Sequence, residues 1–107
     1  MPQYFVSLEH TSDQCPMTSS KVRERVMKGM PEIPQLAQKA GVKFLVGPLV
    51  IGAEHLSVAV VEADKIETVQ DFILRAGLSQ WNSVKVSVAQ SLEQSLKDLE
   101  KTPPPIY

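Results

Sequence analysis

The two histidines of the chain each follow a glutamate, as Glu9-His10 and Glu54-His55, and its single cysteine, Cys15, lies shortly after the first pair. These side chains have chemistry to offer. A carboxylate beside an imidazole orients the ring and favours its charged form, which suits general acid/base work, so His10, Glu54, Glu9 and His55 are candidate catalytic residues of a cofactor-free site. Neutral imidazoles with a thiolate instead make a donor set for zinc or nickel, formed by His10, His55 and Cys15. His10 and Cys15 lack the repeated ligand spacing that makes a zinc motif specific. The plain alternative is two cross-strand ion pairs at a solvated edge and a small half-buried cysteine.

For these residues to meet, strands must bring them to one rim. Residues 3–10 alternate, with Tyr4, Val6 and Leu8 on one face and Phe5, Ser7 and Glu9 on the other. Residues 42–64 form two apolar runs around a turn at Ile51-Gly52-Ala53, the pattern of an antiparallel hairpin. Residues 82–89 alternate again, Val84, Val86 and Val88 against Ser83, Lys85 and Ser87. Antiparallel pairing then places the end of the first strand beside the starts of the third and fourth, gathering Glu9, His10, Glu54, His55, Trp81 and Asn82. With Leu8 and Leu56 on a common core face, His10 is expected beside Glu54 and Glu9 beside His55.

Helical spacing links these strands. Val22, Val26, Met30, Ile33, Leu36 or Ala37, and Ala40 form one stripe, opened by Thr18, Ser19 or Ser20 and closed by Gly41. Pro31 and Pro34 interrupt it, so a bend or break is expected between Gly29 and Pro34. Asp64 and Glu67 read as a capping box before Ile66, Val69, Phe72, Ile73 and Ala76, with Gly77 as the stop. Ser91 and Gln94 open a short helix with Leu92, Leu96 and Leu99 on one side. A stiff proline-rich tail is expected within residues 98–107. Gly47-Pro48 cannot complete a two-sided ladder, which assigns the second strand to a sheet edge.

The order β-α-β-β-α-β plus a terminal helix is the ferredoxin-like split pattern: one α+β domain over residues 1–107, a four-stranded antiparallel sheet of order 4-1-3-2, and helices on one face. Together with the run AVVEADKIETVQDFI at residues 59–73, it resembles the dimeric α+β barrel superfamily. That resemblance implies a homodimer with sheet facing sheet and a small-molecule site, as in its monooxygenase and isomerase members. Small ferredoxin-like metal-binding proteins are a second resemblance.

Composition narrows the function. The 107 residues fit one domain, and 43% hydrophobic content supplies one core. Eleven basic residues against 12 acidic give a formal charge of -1, which offers no broad attraction to nucleic acid or anionic membranes. No apolar stretch approaches the roughly 20 residues of a membrane span, no basic leader precedes an apolar run, and one cysteine closes no internal disulfide, so a cytoplasmic protein is expected. GxGxxG, P-loop, CxxC, HExxH and GxSxG motifs are missing.

Three functions follow as expectations: a homodimeric small-ligand-binding protein or cofactor-free enzyme, with a pocket between the bent first helix and the sheet and His10 and Glu54 at its mouth; a zinc or nickel module; and an assembly module without a site. The helix-facing residues are expected to include Val6, Leu8, Leu56, Val58, Val60, Val84, Val86 and Val88. The opposite face, with Phe5, Ser57, Ala59 and Val61, is expected to be the dimer surface, where Lys85 needs a counter-charge such as Glu9.

Overall fold

The computed structural model describes residues 1–106, so the end of the expected tail, Tyr107, lies outside the described residues. The strands are β1 (Gln3–Glu9), β2 (Lys43–Ile51), β3 (Leu56–Glu62) and β4 (Ser83–Ala89); the helices are α1 (Ser20–Gly29), α2 (Ile33–Ala40), α3 (Ile66–Arg75) and α4 (Leu92–Lys101). The four strands form one antiparallel sheet of order β2-β3-β1-β4, which counted from the other edge is 4-1-3-2.

β2 lies at an edge, as its Gly47-Pro48 pair requires. Gly47 has φ +81°, and a Cβ there would stand 2.8 Å from both the Leu49 nitrogen and the Val58 oxygen. The β2–β3 register shifts around this point, between Phe44 and Val46 and again between Val46 and Leu49.

The proline-bearing helical stripe breaks where expected. Ser19 accepts from the Val22 N–H at 3.3 Å to open α1, a 3₁₀ turn at Met30–Glu32 separates the two halves, and Gly41 closes α2 at φ +81°. Only the second half reaches the main core: α2 buries Ile33 and Ala37 in it, whereas Val22, the one buried residue of α1, lies outside that cluster. The start of α3 differs from the capping box. Lys65 occupies the N-cap without a side-chain bond, and Asp64 instead accepts from the Thr68 hydroxyl at 2.7 Å. That bond holds the exposed Asp64 carboxyl below its ordinary value.

The face assignment of β3 is corrected by the register. Val6 stands opposite Ala59 and Tyr4 opposite Val61, so Ala59 and Val61 face the helices and are buried. Leu56, Val58 and Val60 therefore point to the helix-free face, the reverse of the expectation. Both sets are apolar, so alternation alone does not choose between them. Close packing does: α3 presses Val69 and Phe72 onto the sheet, and the small Ala59 and Ala63 leave room there. On β1 and β4 the expected core residues Tyr4, Val6, Leu8, Val84 and Val86 do join the core, whereas Val88, opposite Tyr4 on the same face, is left 71% exposed because no helix covers that end of β4.

The open face is consequently more apolar than expected. Phe5, Val46, Leu49 and Ile51 are exposed on it beside the half-covered Val58 and Val60. Ser91 caps α4 by accepting from the Gln94 N–H at 3.1 Å, and the helix continues to Lys101, so residues 98–101 are helical and the extended tail starts at Thr102. α4 buries none of its residues. Among the described residues no helix is long and apolar enough to cross a membrane.

Candidate metal centre

The β1–β3 register runs from Gln3 opposite Glu62 to Glu9 opposite Leu56. One step further, His10 meets His55, and the His10 N–H donates to the His55 carbonyl at 3.0 Å. Residues directly opposite in a ladder share a face. The two imidazoles accordingly meet edge to face with ring centres 5.2 Å apart. His55 is fixed by more than the ladder. It ends the 3₁₀ turn Gly52–Glu54 with φ 53° and ψ 43°, and its N–H donates to the Gly52 carbonyl at 3.2 Å. A residue with a Cβ in this left-handed region costs roughly 1–2 kcal/mol, which the surrounding turn must offset.

Cys15 reaches the pair from the loop before α1. The loop is stapled by its own bonds: the Thr18 hydroxyl donates to the Ser12 carbonyl at 2.7 Å, and Arg23 donates to the Pro16 and Met17 carbonyls at 2.9 and 3.0 Å. The Cys15 carbonyl accepts from the Ser19 N–H at 2.8 Å. Its side chain is buried, yet it stands outside the main apolar cluster. One ligand atom each from His10, Cys15 and His55 lie within 4.8 Å of one another. His10 Nε2 and His55 Nδ1 are buried without a hydrogen-bond partner.

The expected carboxylate–histidine pairs are absent. Among the described residues the ion pairs are Lys28–Glu24, Arg75–Asp71 and Lys97–Glu93, none involving a histidine or Lys85. Glu9 and Glu54 are exposed. Once β3 is turned over, His55 shares the helix-facing side with His10, and Glu9 stays on the other face, now beside Leu56.

Trp81 closes the rim, its ring centre 5.4 Å from that of His10. The loop carrying it is pinned by Asn82, whose side-chain amide donates to the Leu78 carbonyl at 2.9 Å. Trp81 and Asn82 also border a cavity of about 70 Å³ between the helices and the sheet, lined by Leu8, Met30, Phe44 and Phe72 among others. The pocket thus lies where the bent helix meets the sheet, but Trp81 and Asn82 stand at its edge in place of His10 and Glu54.

Three ligand atoms from two strand ends and one loop make an asymmetric, mostly enclosed donor set. In a tetrahedral site with metal–sulfur and metal–nitrogen bonds of about 2.3 and 2.05 Å, donors are about 3.3–3.6 Å apart, so the three atoms would have to draw closer than 4.8 Å to hold an ion. One position would remain for water or another ligand.

No family model matches the chain, and no curated protein sequence matches it. Among solved structures, the chain is similar to the solution structure of the C-terminal domain of the MgtC protein from Mycobacterium tuberculosis, with 9% identity, a TM-score of 0.49, and coverage of 83% of this chain and 88% of that one.

Proposed function

We propose that this domain binds a borderline transition metal, zinc foremost, through His10, Cys15 and His55. The observation that carries the reading is the convergence of these three donors within 4.8 Å, with two imidazole nitrogens buried and unpartnered. A buried nitrogen without a partner costs roughly 1–3 kcal/mol, and coordination would remove that penalty. One thiolate and two imidazoles suit zinc, and three protein ligands leave the open position found in catalytic or exchangeable sites.

The small-ligand reading has weaker support. The cavity between the bent helix and the sheet, about 70 Å³, falls well below the ~300–1,000 Å³ of ordinary small-molecule pockets, and the larger cleft of about 650 Å³ beside Glu9, His10 and Trp81 is wide open to solvent. The β-α-β-β-α-β order and the four-stranded antiparallel sheet support kinship with ferredoxin-like domains, within which this rim would be a metal site.

Cobalt and zinc titration of the metal-free protein tests the proposal. Cobalt should produce a thiolate-to-metal charge-transfer band that Cys15→Ser abolishes. Zinc should displace cobalt, and His10→Ala and His55→Ala should each weaken binding more than ~100-fold, beyond the effect of losing an outer hydrogen bond to a ligand. Binding no tighter than millimolar, or binding indifferent to all three substitutions, would overturn the reading.

A further inference from the structure

Among the described residues, two apolar surfaces lack a partner. The first is the helix-free side of the sheet, where Val46 and Leu49 are 50% and 52% exposed and Phe5 and Ile51 extend the patch over three strands. The second is α4, whose Leu92, Leu96 and Leu99 are 76%, 53% and 64% exposed at helical spacing. With α4 and the tail standing off the domain, the Cα radius of gyration is 16.4 Å, against about 13 Å for a compact chain of this length.

α4 does not cover its own sheet. It leaves β4, the edge farthest from β2, after only Gln90 and Ser91. The Gln90 amide donates to Ser95 Oγ at 3.0 Å and to Asp98 Oδ2 at 3.1 Å, tying the helix to that short link.

We propose that α4 of one copy lies across the open sheet face of a second copy, reciprocally, in a twofold dimer. The dimensions agree. A ten-residue helix is about 15 Å long, and three strands about 4.8 Å apart span nearly the same width. The areas agree as well. At about 60–120 Å² per aliphatic side chain, with roughly half already covered, the two surfaces offer on the order of 300–600 Å² of apolar area per copy. A stable interface of about 800 Å² per partner, a little over half of it apolar, needs ~450 Å². Helix and face occur once in each chain, so the exchange closes and leaves neither surface open.

Sedimentation of the full chain at micromolar concentration tests this, with Leu96→Asp on the helix and Leu49→Asp on the face. Both positions are half exposed, so the substitutions spare the core. The wild type should be a dimer, and each variant should raise its dissociation constant at least ~100-fold. In an isotopically mixed wild-type sample, cross-links should join Lys97 or Lys101 of one copy to Lys43 or Lys85 of the other, a readout that needs no variant to fold. A monomeric wild type, a dimer that survives either substitution, or intermolecular links only between sheet lysines would overturn the proposal; the last would show sheet packed on sheet.

Discussion

His10 and His55 stand directly opposite one another where β1 and β3 run out, joined through the backbone at 3.0 Å and meeting ring to ring at 5.2 Å. Neither has a carboxylate partner, and each leaves a buried nitrogen unpaired. Without a third group this would be a poor use of two polar rings in a rim that Trp81 partly covers. In the proposed metal site Cys15, within 4.8 Å of both, would be that group, and the consequences can be measured.

Metal affinity should fall as pH is lowered, because protons compete for the imidazoles and the thiolate. Binding must then release protons. Calorimetric titrations with zinc in two buffers of different ionisation enthalpy should give different apparent heats, and identical heats would exclude a thiol ligand.

Zinc should raise the melting temperature of the wild type, since a ligand held at 100 times its dissociation constant contributes about 2.7 kcal/mol. A chelator should reverse the shift. Cys15→Ser should show no shift.

His55→Asn should separate stability from binding. Asparagine tolerates the left-handed backbone that His55 adopts at φ 53°, and the substitution removes a buried unpaired ring nitrogen. The metal-free variant is expected to be as stable as the wild type or up to about 1–2 kcal/mol more stable in urea, while losing metal affinity. A lower urea midpoint would show that the imidazole has packing value of its own.

Gly47→Ala should destabilise the fold by more than about 1 kcal/mol, because alanine is strained at φ +81° and its Cβ would press on the Val58 carbonyl at 2.8 Å. The loss belongs to the β2 edge. Hydrogen exchange should accelerate in β2 before it does in β1.

Asp64 contributes in the opposite pH direction from a group whose folded value is raised. Its carboxyl is held below the ordinary 3.8 first by the Thr68 hydroxyl, so its contribution is complete above that value and is lost as pH falls through the lower folded value. The stability difference between wild type and Asp64→Ala should therefore shrink below about pH 4 and be constant near neutrality.

Much of the framework was legible in the chain itself, because local chemistry decides it. The proline pair forces the break between α1 and α2, Gly41 and Gly77 take the left-handed positions at φ 81° and 73°, and Gly47-Pro48 confines β2 to an edge. The β-α-β-β-α-β order and the gathering of His10, His55 and Trp81 at one rim follow from those elements. Tertiary structure alone decided which side of β3 is inside. Leu56, Val58 and Val60 alternate with Ser57, Ala59 and Val61, both sets are apolar enough for a core, and only the close approach of Val69 and Phe72 selects the smaller side chains. That one-residue choice turns His55 toward His10, breaks the expected pairs His10–Glu54 and Glu9–His55, and leaves a broad apolar face open. Cys15 was decided in the same way: nothing in its spacing from His10 brings the thiol to the pair, and the folding of residues 11–19 over the rim does.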